Sequence, residues 1–122
     1  MTNGVPMAFK EVGLRPGQTV RYQLTANASA DYQCMTSDSY YGPNGTGPSH
    51  TASGQVSAAA EFKAAGDGTI AEVLTLPYAP APTVSCPAGS ELGRWRYSFS
   101  DVVLHDMTNG LAQTLPAPGG EA

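Results

Sequence analysis

Two histidines, His50 and His105, are the side chains of this 122-residue chain best suited to general-base work near neutral pH. His50 lies in the run Pro48-Ser49-His50-Thr51, which reads as loop, where an exposed and idle imidazole is the ordinary outcome. His105 precedes Asp106, but neighbours along a strand face opposite sides, so the acid is poorly placed to orient the ring. No Gly-x-Ser-x-Gly elbow occurs, and if Cys34 and Cys86 are joined no thiolate nucleophile is left. Asp31, Asp38 and Asp101 could in principle supply a carboxylate pair. Nothing fixes them at the separation that glycoside hydrolysis needs, and they read as turn caps. Asp67, between Gly66 and Gly68, could touch calcium, yet one acid there is common turn chemistry. There is no CxxC pair, and the histidines lack ligand spacing for zinc. The expectation is a chain without catalytic residues, metal or cofactor.

The remaining candidates are for recognition. Residues 37–53 form a seventeen-residue stretch without periodicity, and loops of that length in a compact domain are commonly functional or disordered. Tyr40, Tyr41, Asn44 and His50 stand there among Ser, Gly and Pro, the composition of contact loops that gain area from tyrosine at low entropy cost. Arg94 and Arg96 flank Trp95 later in the chain and complete the set of candidate partner-binding residues. Asn27-Ala28-Ser29 and Asn44-Gly45-Thr46 match the glycosylation sequon, a triplet that often arises by chance.

The elements that must position these residues are strands. In 18–27, Val20, Tyr22, Leu24 and Ala26 alternate with Arg21, Gln23 and Thr25, behind an Arg15-Pro16-Gly17 turn. Tyr32 and Cys34 share a face of a short strand at 32–35. Residues 54–64 alternate through Val56, Ala58, Ala60, Phe62 and Ala64, and Gly66-Asp67-Gly68 argues for a hairpin over an Ala-rich helix. Residues 69–76 carry β-branched content, but Glu72 falls on the face of Ile70, Leu74 and Leu76, which implies either a bulge or an edge. Pro77 to Pro82 forbids a central strand. In 94–100, Trp95, Tyr97 and Phe99 read inward while Arg94 and Arg96 read outward. Asp101 to Met107 reads as another strand or as the far side of a bend, and Asn109-Gly110 turns the chain into 111–115. Residues 1–8 and 117–122 read as flexible ends. About seven strands and no helix predict one domain over 1–122, an all-β antiparallel β-sandwich, immunoglobulin-like in the broad sense.

Six bases against ten acids, with a pI near 4.9, make a poor footprint for nucleic acid, and no apolar run could span a bilayer. The first ten residues lack the apolar core of a signal peptide. The chain is then either cytoplasmic or the mature form of an exported protein. Many Gly, Pro, Ser and Thr beside only two Lys favour export. A Cys34–Cys86 bridge between an early and a late strand, with Trp95 packed on it, suits that compartment. Two buried free thiols are the competing reading. The bridge would close about fifty residues, worth roughly 4 kcal/mol on the chain-entropy model.

From about residue 18 to 110 the chain resembles uncharacterised small secreted proteins of actinobacteria. The likeness rests on YQC at 32–34, EFKAAGDGTI at 61–70, CPAG at 86–89 and YSFSDVVLHD at 97–106. It implies export, a β-fold and a disulfide, and it supplies no activity. Trp95-Arg96-Tyr97 also resembles the enzyme-contacting triplet of small microbial α-amylase inhibitors, which have a shorter chain, two disulfides and the triplet in a turn. Together these readings predict a non-enzymatic extracellular module, or adaptor subunit, that contacts a protein partner. Inhibition of a secreted hydrolase and carbohydrate binding are the alternatives, and a solvent-accessible Trp95 would favour the last.

Overall fold

The computed structural model describes residues 4–36 and 44–121. Among these the regular elements are strands: β1 Gly4–Glu11, β2 Thr19–Thr36, β3 Asn44–Lys63, β4 Ile70–Pro77, β5 Glu91–Asp106, β6 Leu111–Thr114 and β7 Gly119–Glu121. A large sheet has the order β3-β2-β5-β6, with β7 also beside β5, and a small sheet pairs β1 with β4. Every pairing is antiparallel. The all-β sandwich with one disulfide is therefore what the alternation predicted. No helix among the described residues is long and apolar enough to cross a membrane.

β2 is the spine. Val20, Tyr22, Leu24, Ala26, Ala28, Ala30, Tyr32 and Cys34 are all buried, so one face alternates inward without interruption over the whole strand. Large side chains cluster at its first half. There the small sheet lays Met7, Phe9, Leu74 and Leu76 into the same core, with the Phe9 and Tyr22 rings 4.8 Å apart. Over the second half, the coil that follows β4 takes the place of a sheet. Tyr32 Oη donates to the Ala79 carbonyl at 2.8 Å, Cys34 is bonded to Cys86, and Tyr78 stands edge-on to Tyr97 at 5.1 Å.

The turns follow their chemistry. Gln18 N–H donates to the Arg15 carbonyl with Gly17 at φ 77°, as a Pro-Gly type II turn requires. Gly68 has φ 77° and lies so close to Leu14 that a Cβ would sit 2.2 Å from that carbonyl. The Asp67 carboxylate accepts from Thr69 N–H at 3.1 Å, a local turn cap.

Four expectations need correction. The supposed loose ends are strands: Gly4–Glu11 pairs with β4, and Gly119–Glu121 pairs with Arg96–Ser98. Pro6 is tolerated because a two-stranded sheet is all edge. The long loop 37–53 shrinks from its far side, since 44–53 belongs to β3 and pairs with β2 despite its Gly, Ser and Thr content. Its Pro48 is again accommodated by an edge strand, at a register shift. The segments 18–27 and 32–35 are one strand, as are 94–100 and 101–107 up to Asp106. Finally, Cys86 lies in coil, so the disulfide ties that coil to the large sheet and does not join two strands. Glu72 is settled as well. The β1–β4 register runs without a shift, so Glu72 keeps its inward phase and escapes burial at an edge.

Candidate functional site

The outer face of the large sheet is where polar chemistry collects, and two bulges in β5 decide what is on it. Between Asp31↔Arg96 and Tyr32↔Arg94, one residue of β5, Trp95, has no partner on β2. Between Thr25↔Val103 and Asn27↔Ser100, β5 takes three steps to two on β2, with Asp101 at φ 51°. Each extra residue flips the inward–outward phase. Phe99 and Val102 are therefore both buried although three apart, and Arg94 and Arg96 part company although two apart.

Arg94 turns inward. Its guanidinium lies 3.5 Å from the centroid of Tyr78 and 6.0 Å from that of Tyr97, with Nε buried and without a hydrogen-bond partner. Trp95 turns outward, where its indole N–H donates to Ser49 Oγ of β3 at 3.1 Å. Arg96 packs its guanidinium 4.5 Å from the Trp95 ring and donates Nε–H to Asp31 Oδ2 at 2.8 Å, with Nη2 2.7 Å from the same oxygen. The Thr51 hydroxyl donates to Asp31 Oδ1 at 2.6 Å. Hydrogen bonds from Thr51 and then from Arg96 hold the Asp31 carboxyl below its ordinary value.

A cross-strand cluster results, Thr51–Asp31–Arg96 with Trp95–Ser49 beside it, spanning β3, β2 and β5. The Arg96 side chain stays 57% exposed, so the guanidinium is accessible to a ligand while its aim is fixed. Next to the cluster, a shallow trough of about 360 Å³ is lined by hydroxyls and amides, among them Asn27, Ser29, Ser53, Gln55, Ser98 and Ser100. Donors and acceptors abound here, but the cluster contains no Ser–His or Cys–His pair to make a nucleophile. Among the described residues, no group of three or more His, Cys, Asp and Glu is placed to hold a metal.

The sequence-derived candidates separate. Arg96 is in this cluster and Arg94 is on the other face of the sheet. His50 pairs with Tyr32 in the β2–β3 register, one residue from Ser49 and Thr51. Asn44 opens β3 opposite Thr36, while Tyr40 and Tyr41 lie outside the described residues. His105 reaches Thr25 Oγ1 at 3.4 Å on the outer face, away from the buried Asp106. Sequence reading assigned Trp95 to the core and Asp31 to a turn. The first error comes from the bulge at Trp95 and the second from missing that β2 runs on through Asp31; the Phe99–Val102 spacing hints only at the other bulge. No protein-family model matches the chain, and neither does any curated protein or solved structure.

Proposed function

We propose that this chain is a non-enzymatic binding module, exported from the cell, that docks a protein partner on the outer face of its large sheet around Trp95 and Arg96. The observation that carries the reading is the bulge at Trp95. It takes the sole tryptophan out of the core and fixes it beside an ion-paired arginine on a solvent-facing surface. Tryptophan and arginine are the residue types that most often dominate protein–protein binding energy, because each gives large contact area from a pre-ordered group. The polar trough beside them supplies the rim. An adaptor subunit within a secreted assembly is the concrete form of this reading.

The outward Trp95 favours a sugar platform, but two observations weigh against one. The Arg96 guanidinium already packs on the Trp95 ring, and the rings of Tyr78, Tyr97 and Phe99 are packed against one another on the opposite face. The hydrolase-inhibitor reading gains something instead, since Trp95 and Arg96 of the triplet now point the same way. Tyr97, turned inward, is not part of that surface.

Affinity capture from culture supernatant with the wild-type chain and with Trp95→Ala tests the proposal. A partner retained by the wild type and reduced at least tenfold by the variant supports it. Equal retention by both, or recovery of the protein alone, removes it. Binding that survives Arg96→Ala would remove the inhibitor version.

A further inference from the structure

The open edges of the two sheets are protected very unequally. At one side of the large sheet the edge is made by β6 and β7, which are only four and three residues long. In the small sheet, β1 carries Pro6 and Lys10, while β4 carries Glu72 and ends on Pro77. Short strands, prolines and charges are the usual means of keeping an edge from pairing with another chain. β3 is the exception. It runs for 20 residues, and from Thr51 to Ala60 it holds neither a charge nor a proline. From His50 to Lys63 its pairing with β2 has no register shift, so this edge is regular as well as long. Among the described residues, no strand pairs with its far side.

The backbone bonds at the end of β3 show which groups are left open. Ala64 donates its N–H to the Gln18 carbonyl at 2.8 Å and accepts from the Gly17 N–H at 3.0 Å. Along an antiparallel strand the backbone groups point alternately to one neighbour and to the other. The even-numbered residues therefore bond to β2, and the odd-numbered ones, from Thr51 to Lys63, direct N–H and C=O away from the sheet. Their side chains stand exposed on the outer face.

We propose that β3 pairs with β3 of a second copy of this chain, antiparallel about a two-fold axis through Ser57, joining two large sheets into one. An axis perpendicular to the sheet keeps inner faces inner, and the open backbone groups meet only where odd-numbered residues oppose odd-numbered ones. With the axis at Ser57, Lys63 of the second copy stands opposite Thr51, in line with Asp31 and Arg96 on β2 and β5. Charges then alternate along that row. An axis at Val56 would bring Glu61 there instead, on the side of the Asp31 carboxylate. On the inner side, the half-buried Phe62 of one copy falls beside Ala52 of the other. Ala60 falls beside Gly54, where nothing lies within 4 Å of the position a Cβ would take. The pairing uses the edge of the sheet and does not depend on a partner docking around Trp95.

Analytical ultracentrifugation of the full chain over about a hundredfold range of concentration, comparing wild type with Ser57→Lys, is the test. Ser57 is exposed and its N–H is not used by β2, so the substitution should leave the fold unchanged, as circular dichroism would show. Across the axis it sets two lysines directly opposite each other. The wild type should pass from monomer to dimer as concentration rises, and the variant should need about fivefold more protein to do so. A wild type that stays monomeric, a dimer indifferent to the lysine, or growth beyond the dimer overturns the proposal. Should the variant fail to fold, amide exchange of the wild type decides. The Gln55, Ser57 and Ala59 amides should exchange more slowly at high concentration, and equal rates at low and high concentration overturn the pairing equally.

Discussion

The two halves of β2 bury the same face by different means. From Val20 to Leu24 the cover is a sheet, and the residues beneath it are large: Tyr22 packs on Phe9, Phe9 on Phe62, and Leu24 is fully enclosed. From Ala26 to Cys34 the cover at the far end is coil, and the inward residues are three alanines, then Tyr32 and Cys34. A coil cannot offer a row of side chains at regular spacing, so it comes close only where the residues beneath it are small. It is then fastened at a few points: a hydrogen bond to the Ala79 carbonyl, the disulfide, and Tyr78 packed on Tyr97 and Phe99. A broad apolar contact is forgiving of any one loss, whereas a fastened strip depends on its few pins.

Cutting the covalent pin should have the largest effect. Cys86→Ser frees a loop with a sequence separation of 52, and should lower unfolding free energy by about 4 kcal/mol on the chain-entropy model, measured by denaturant titration. If the change in stability is under about 1 kcal/mol, the coil is held by packing and the contrast between the halves fails. Leu24→Ala tests the other half, with an expected loss of about 3 kcal/mol and a cooperative transition retained, because neighbouring large residues can partly close the cavity. Tyr32→Phe should be milder, about 1 kcal/mol, for one neutral hydrogen bond that leaves the Ala79 carbonyl unpaired. Hydrogen exchange should register it in β2 and in the coil but not in β1.

This contrast also explains what could be read in advance. The first half of β2 was legible because Val20, Tyr22 and Leu24 stand out against Arg21, Gln23 and Thr25. The second half was not, since Ala28 and Ala30 differ little in hydropathy from Ser29, and the strand was cut in two. β1 was missed because its inward series, Val5, Met7 and Phe9, is short and is interleaved with an outward Pro6 that an edge permits. The candidate site was half legible: Arg96 was named, but Trp95 and Asp31 were assigned elsewhere. Side-chain phase is inferred from counting, and a bulge adds one residue that composition does not mark. The bond from the Tyr22 hydroxyl to Glu11 was invisible for another reason. It joins β2 to β1 through an acid that looks like an unremarkable surface residue until the sheets meet.

The two irregularities in β5 divide that strand into three segments whose facing is set independently. An insertion or deletion that reverses the facing of one segment can be taken up at the next discontinuity instead of propagating along all sixteen residues. Phe99 shares the segment that carries Arg96, so a change of facing there carries Phe99 with it, while Val102 and Leu104 stand beyond the second discontinuity. A fold built this way holds its contact surface and its framework on one continuous strand, with local irregularities deciding which residue serves which.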